Sequence, residues 1–382
     1  MRILSIHNKY KIKGGEDVVF KAECELLEDH GHEVRAVLFD NKAIHGVVGK
    51  LNTLMGVISN KSSYKRVRDE VISFSPDIIH VHNFFPLVSP VVFDVAHENA
   101  IPIVLTLHNY RLICPGALLL RNEKTCEVCV NSTFPFKGVI NKCYRNSLIE
   151  TAALGFMNYW HNEIGTWGNK IDRFIVLTDF AKKKFLNSSL NVEGGQFVTK
   201  PNFVPDYGEG GGGDRFLFVG RLSHEKGISV LLETFSQSNF KLAIIGEGPL
   251  INEVEEAEKV NKNITYLGCQ GRKAVIKAMK SCRALIFPSI WYEGMPMTIL
   301  EAFSCGCPVI ASKLGSMVEL IEDQVNGLHF KPGDSVDLRS KLELITVGMR
   351  GGARDSYLKK FTPEENYKSL INIYQSLFLT NE

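Results

Sequence analysis

The sequence predicts an α/β protein of two domains, each a parallel sheet wrapped by helices. Three observations predict it. Short apolar runs of strand length alternate with helical spacing along the chain. A run of five glycines and a glutamate, Gly208-Glu209-Gly210-Gly211-Gly212-Gly213, interrupts that alternation near its middle. The 382 residues exceed what one ordinary core holds.

The first strand is Ile3-Leu4-Ser5-Ile6, broken by Gly14-Gly15. Val18, Val19, Ala22, Leu26 and Leu27 then recur at helical spacing, and Gly31 stops the helix. Val34 to Phe39 is the next strand. Asp77-Ile78-Ile79-His80-Val81-His82 and Pro102 to His108 are apolar runs of the kind that buried parallel strands show. Arg173 to Thr178 is another, with a helix following from Asp179. After the glycine run the pattern restarts. Phe216 to Gly220, Leu242 to Gly246, Ala284 to Pro288 and Pro308 to Ala311 read as strands separated by helices. A last helix, Glu364 to Phe378, carries Tyr367, Leu370, Ile371, Ile373, Tyr374 and Leu377. The expected domains are therefore 1–205, a linker 206–214, 215–361, and a terminal helix 362–382 that packs back on the first domain.

Hydrophobic residues make up 45% and charged residues 23%, which is globular usage. The net charge of +2 gives no bulk electrostatic case for a nucleic-acid partner. Met1-Arg2 runs into a strand-length apolar stretch, shorter than a secretory signal, and no run spans a bilayer. The expectation is a cytoplasmic protein, with peripheral membrane contact left open. Nine cysteines in a chain this long do not form a disulfide scaffold.

Two motifs carry chemistry. Glu293-Gly294-Met295-Pro296-Met297-Thr298-Ile299-Leu300-Glu301 follows a strand, and Pro296 suits a helix start. The backbone N–H groups of Gly294, Met295, Met297 and Thr298 would then sit at a helix N-terminus beyond a parallel sheet, which suits a phosphate. Glu301 stands one turn behind, where a carboxylate can accept from two ribose hydroxyls. Glu293 precedes the helix and can face a sugar. The plainer alternative is a capped helix with a surface glutamate at each end. The second motif is Gly220-Arg221-Leu222-Ser223-His224-Glu225-Lys226-Gly227. The Arg221 fork can hold two phosphate oxygens and Lys226 adds a second cation, together stabilising a departing diphosphate. Solvated basic side chains on a turn are the alternative.

These residues resemble family 4 of the retaining glycosyltransferases, which have the GT-B fold: two Rossmann-like domains facing each other across a cleft. Arg221 with Lys226, Glu293 with Glu301, and the turn Gly246, Gly248, Pro249 match its motifs. The resemblance implies that Glu301 binds ribose, that Glu293 contacts the transferred sugar, that Arg221 and Lys226 hold the diphosphate, and that the base lies near Leu267-Gly268. It implies that Gly14-Gly15 approach the donor phosphate, and that His108, at a strand end, touches the donor sugar. A merely structural His108 is the alternative. His80 reads as core and His82 as cleft-facing. The implied reaction needs no catalytic metal. No Asp-x-Asp motif appears, and the leaving phosphate oxygen takes the acceptor's proton.

Cys114, Cys126, Cys129 and Cys143 fall in an irregular stretch after His108 that resembles a cysteine-rich subgroup of that family. A structural zinc, reduced buried thiols and a disulfide all remain open. Arg111, Arg121 and Arg145 could meet an anionic acceptor such as a lipid pyrophosphate, or be solvated. The expected partners are a nucleotide-sugar donor, UDP-linked by default, and a saccharide or lipid-linked saccharide acceptor in surface polysaccharide synthesis. A nucleotide-sugar epimerase on the same fold and a non-catalytic sugar-nucleotide-binding protein are the competing readings. A dinucleotide oxidoreductase is disfavoured, because no Gly-x-Gly-x-x-Gly follows either first strand.

Overall fold

The computed structural model describes residues 1–11, 14–44 and 46–379. The chain forms two compact units. The first holds Met1–Leu119, Glu127–Pro201 and Tyr367–Glu382, and the second holds Leu120–Cys126 and Asn202–Asn366.

The first unit is built on β1 (Arg2–Lys9), β2 (Glu33–Asp40), β3 (Ile78–Asn83) and β4 (Ile103–Leu107). After a two-stranded hairpin, β5 (Leu120–Arg121) and β6 (Lys124–Thr125), come β7 (Arg173–Val176) and β8 (Phe197–Thr199). The sheet order is β2-β1-β3-β4-β7-β8. Every pairing in it is parallel. The chain reverses its winding direction between β1 and β3, where open α/β sheets bind ligands at their C-terminal ends. The helix Gly15–Asp29 crosses from β1 to β2 and buries Val19, Phe20, Glu23, Cys24, Leu26 and Leu27. Helical spacing puts Glu23 in the middle of that apolar stripe.

The last helix, Pro363–Phe378, supplies Leu370, Ile373, Tyr374 and Leu377 to one cluster with Ile3, Leu27, Ile78, Val104 and Ile175. Each buried aliphatic side chain there contributes about 1.5–3 kcal/mol.

The second unit is built on β9 (Arg215–Val219), β10 (Lys241–Ile245), β11 (Ile264–Tyr266), β12 (Leu285–Phe287), β13 (Val309–Ser312) and β14 (Gly327–Phe330). Its order is β11-β10-β9-β12-β13-β14, again parallel throughout. Here the reversal lies between β9 and β12. Phe216, Phe218, Leu242, Ile244, Ile286 and Ile310 form the centre of its core.

The chain passes from one unit to the other at Pro201, ahead of the glycine run. That run is strapped to the second unit. Gly210 N–H donates to Cys305 O (3.1 Å), Gly212 N–H to Lys280 O (3.0 Å), and Arg350 Nη2 to Gly210 O (3.0 Å). A Cβ at Gly210 would stand 2.2 Å from Lys280 O, so close backbone approach explains the glycine there.

Candidate functional site

The second unit gathers its site at the β9/β12 reversal. The turn after β9 carries Arg221 and Lys226, and the loop after β12 carries Ser289, Trp291 and Glu293. The two loops interlock. Ile290 N–H donates to Glu225 O (3.0 Å). Gly227, at φ +74, lies so close to Pro288 that a Cβ would be 2.0 Å from its carbonyl oxygen.

This packing brings Lys226 onto Glu293. Lys226 Nζ donates to Glu293 Oε1 at 2.7 Å, Ser289 Oγ at 2.6 Å and Trp291 Nε1 at 2.9 Å. All three meet Oε1, so among the described residues Oε2 carries no hydrogen bond. Ser316 Oγ donates to the Glu293 carbonyl (2.9 Å) and fixes the backbone as well. Glu293 is buried and Lys226 is half-buried. The ammonium also lies 5.3 Å from the Trp291 ring centre. Arg221 is exposed, and its guanidinium has no hydrogen bond or ion pair among the described residues.

The helix Met297–Ser304 starts one residue later than Pro296, which takes the cap position with extended ψ. No side chain caps the helix, so Met297 and Thr298 present first-turn N–H groups. Gly294 lies in the loop before them. Met295 is buried and accepts Asn202 N–H on Sδ (3.1 Å), so its side chain packs. Glu301 is half-buried and pairs with Arg272 Nη2 at 3.1 Å. Burial raises its carboxyl pKa, and Arg272 opposes the rise. Leu267 and Gly268 follow β11, where Gly246 N–H donates to Gly268 O (3.0 Å).

In the first unit the C-terminal ends of β1, β3 and β4 carry a histidine network. His108, just beyond β4, shares a hydrogen bond with His82 through Nε2 and Nδ1 (3.2 Å). His82 Nε2 lies 3.1 Å and His80 Nδ1 3.2 Å from Glu23 Oε1. Lys200 Nζ donates to Glu23 Oε2 at 2.8 Å, with both side chains buried. Burial alone would raise the Glu23 carboxyl, but the Lys200 ammonium and the hydrogen bond from His82 hold it well below the usual carboxylate range. Burial pushes the His80 and His108 pKa values well down, so both rings are neutral. His80 also contacts Thr106 Oγ1 (2.8 Å) and Tyr374 OH (2.7 Å). His82 is therefore buried beside His80, on the same carboxylate.

Gly14 and Gly15 open the helix after β1, but its start already holds an anion. Gly14 N–H donates to Asp17 Oδ2 (2.7 Å), and His7 Nε2 donates to Asp17 Oδ1 (2.9 Å). Glu16, which sequence reasoning missed, accepts from Asn83 Nδ2 (2.9 Å). Burial pushes its carboxyl up to about 7. Arg111 stacks over Phe85 (4.4 Å), and its Nη1 is buried without a hydrogen-bond partner. Arg111 and His108 line one small cavity with Asn83 and Phe85.

Of the four cysteines, Cys114 and Cys143 flank Gly116, and Cys129 packs on Gly138. Cys126 ends the hairpin segment grouped with the second unit. Among the described residues, the metal-ligand atoms that converge as a set of three belong to Glu23, His80 and His82, all within 4.8 Å, and not to the cysteines. Lys200 already neutralises that carboxylate.

Residues 200–347 match the family model described as glycosyl transferases group 1. An uncharacterized glycosyltransferase of Methanocaldococcus jannaschii is 27% identical over 385 residues, covering 98% of this chain and 94% of that protein. The lipopolysaccharide 1,6-galactosyltransferase of Escherichia coli K12 is 29% identical over 46% of this chain and 53% of its own. The crystal structure of Anabaena HepE in complex with UDP superposes with a TM-score of 0.66 at 17% identity, covering 98% of this chain and 100% of that one. Two all-parallel α/β units and these likenesses together support a glycosyltransferase of the GT-B fold.

Proposed function

We propose that the protein is a retaining, family 4 glycosyltransferase that moves a sugar from a UDP-sugar to a saccharide or lipid-linked saccharide acceptor in surface polysaccharide synthesis, working at a membrane face. The observation that carries the reading is the Lys226–Glu293 pair at the β9/β12 reversal, with Glu301 on the helix that follows. UDP in the Anabaena structure supports the choice of carrier. The lipopolysaccharide enzyme's name supports the class of acceptor.

In this reading the diphosphate sits on the first-turn N–H groups of Met297 and Thr298, with Gly294 close by. Arg221 and Lys226 neutralise it as it leaves. Glu301 takes the ribose hydroxyls and exchanges Arg272 for them. Glu293 meets the sugar through Oε2 while Oε1 stays held by Ser289 and Trp291. His108, neutral and anchored on His82, offers its remaining nitrogen to the sugar. The acceptor oxygen attacks from the leaving-group side, its proton passes to the departing phosphate oxygen, and the anomeric configuration is kept.

A thermal-shift panel with UDP, GDP, ADP, dTDP and NAD tests it. At a hundred times its Kd, UDP should stabilise the fold by about 2.7 kcal/mol. Glu301→Ala should lose that shift. A shift with NAD alone overturns the reading.

A further inference from the structure

The helix Leu148–Glu163 shows solvent a face that a water-soluble surface normally avoids. Leu148 (50% exposed), Phe156 (43%) and Trp160 (45%) lie at four-residue multiples, and Ile164 (47%) continues the row past the helix end. Ile149 (66%) lies beside the row. The short helix Phe136–Ile140 leaves both its terminal apolar side chains exposed. An apolar surface of this kind marks an interaction site.

Two observations choose the partner. Exposed Lys137, Lys142 and Arg145 lie on the chain just ahead of the apolar row; Arg145 pairs with Glu150 (3.5 Å), and the two lysines have no such partner among the described residues. Trp, Phe and Leu on one face with cations at its edge is the composition of a helix lying in a bilayer interface. The second observation is a cavity. Leu54, Val57, Phe85, Ile149, Ala153 and Leu154 line an open, largely apolar cavity of about 260 Å³, with Glu150 and Arg145 among its polar residues. Ile149 belongs to both the exposed face and the cavity wall, and Arg145 stands at the rim. A flat protein partner would leave that space unfilled, whereas a hydrocarbon chain fills it. Phe85 is shared with the cavity that holds Arg111 and His108.

We propose that this face seats the protein on an anionic bilayer, and that the cavity takes the hydrocarbon chain of a lipid-phosphate acceptor whose phosphate meets Arg145 and Arg111. The acceptor half rests on the glycosyltransferase reading. The docking half does not.

Flotation with vesicles tests the docking. The protein should float with equal parts phosphatidylcholine and phosphatidylglycerol, and less with phosphatidylcholine alone. Phe156→Ser with Trp160→Ser should cut binding by at least about tenfold. Lys137→Glu with Lys142→Glu should abolish the preference for phosphatidylglycerol. All four positions are exposed, so circular-dichroism melts should match wild type. Wild type that stays unbound, or a double serine variant that floats undiminished, overturns the docking. So does a wild-type dimer that the serine variant converts to monomer, since a second copy would then cover the face. For the cavity, farnesyl phosphate should raise Tm where inorganic phosphate does not, and Ala153→Trp should remove the effect. Equal responses to both phosphates, or none, overturn the chain site. The UDP shift reads the donor site separately, so its failure beside intact flotation sinks only the reaction.

Discussion

Glu23 and Lys200 pair in the interior of the first unit, beside His80 and His82. Removing one partner of a buried ion pair costs about 3–5 kcal/mol, because the other charge is left uncompensated. Lys200→Met should therefore destabilise by that amount in denaturant melts. Adding Glu23→Gln to it should recover much of the loss. Glu293 sets a different test. Glu293→Gln keeps the shape of the side chain but removes the charge facing the sugar. Transfer should fall at least about 100-fold while UDP still shifts the melt. Full transfer in that variant removes the role assigned to Glu293. Lys226, Glu293 and Glu301 stand out in the sequence as candidates because each follows a strand in a spacing that chemistry constrains. Glu23 does not, since a glutamate on a helix reads as solvated until β3 and Lys200 close over it. Glu16 was hidden for a related reason: only the fold buries it beside Asn83.

Strands β1, β3, β4, β9, β10, β12 and β13 could be read as apolar runs because they are central and buried on both faces. Among the edge strands, β2 is eight residues long and could be read as well, whereas β8, β11 and β14 could not. They are three or four residues long, too short to show a period. The glycine run reads as a linker by composition, which does not reveal that the Cys305 and Lys280 carbonyls and the Arg350 guanidinium hold its backbone. Gly227 is a glycine that the packing of the β9 and β12 loops requires. Gly227→Ala combines a left-handed φ with a clash against Pro288 O, so it should spread the β9 and β12 loops apart. The expected result is a loss of the UDP shift greater than the loss of Tm. In the first unit, Leu370→Ala should cost about 2–5 kcal/mol, read by chemical denaturation, because it opens a cavity against the central sheet.

At the scale of the molecule, the two units differ in how they answer acid. His80 and His108 are held well below their ordinary value and His7 is held down to about 4, all by burial, and His161 is lowered too. All four lie in the first unit. As pH falls below about 6.5, the unfolded chain binds protons that these native rings refuse, so stability falls. Glu16, raised to about 7, works the other way, since its native carboxyl holds a proton up to that pH. Four rings outweigh one carboxyl. Calorimetry should show the first unit's melting moving down between about pH 7 and pH 5, with the second unit's melting moving less. Equal movement of both would contradict this assignment.

The helix Pro363–Phe378 gives Leu370, Tyr374 and Leu377 to the sheet that begins at Arg2. Domains usually fold in the order in which they are synthesised. Here that order inverts. The second unit has all its residues once Asn366 is made, while the first still lacks part of its core. On the ribosome, Ile3, Ile78 and Val104 wait with an uncovered face until the helix Pro363–Phe378 is made. A stop codon just after Asn366 would thus damage the earlier-made unit and leave the later one able to fold.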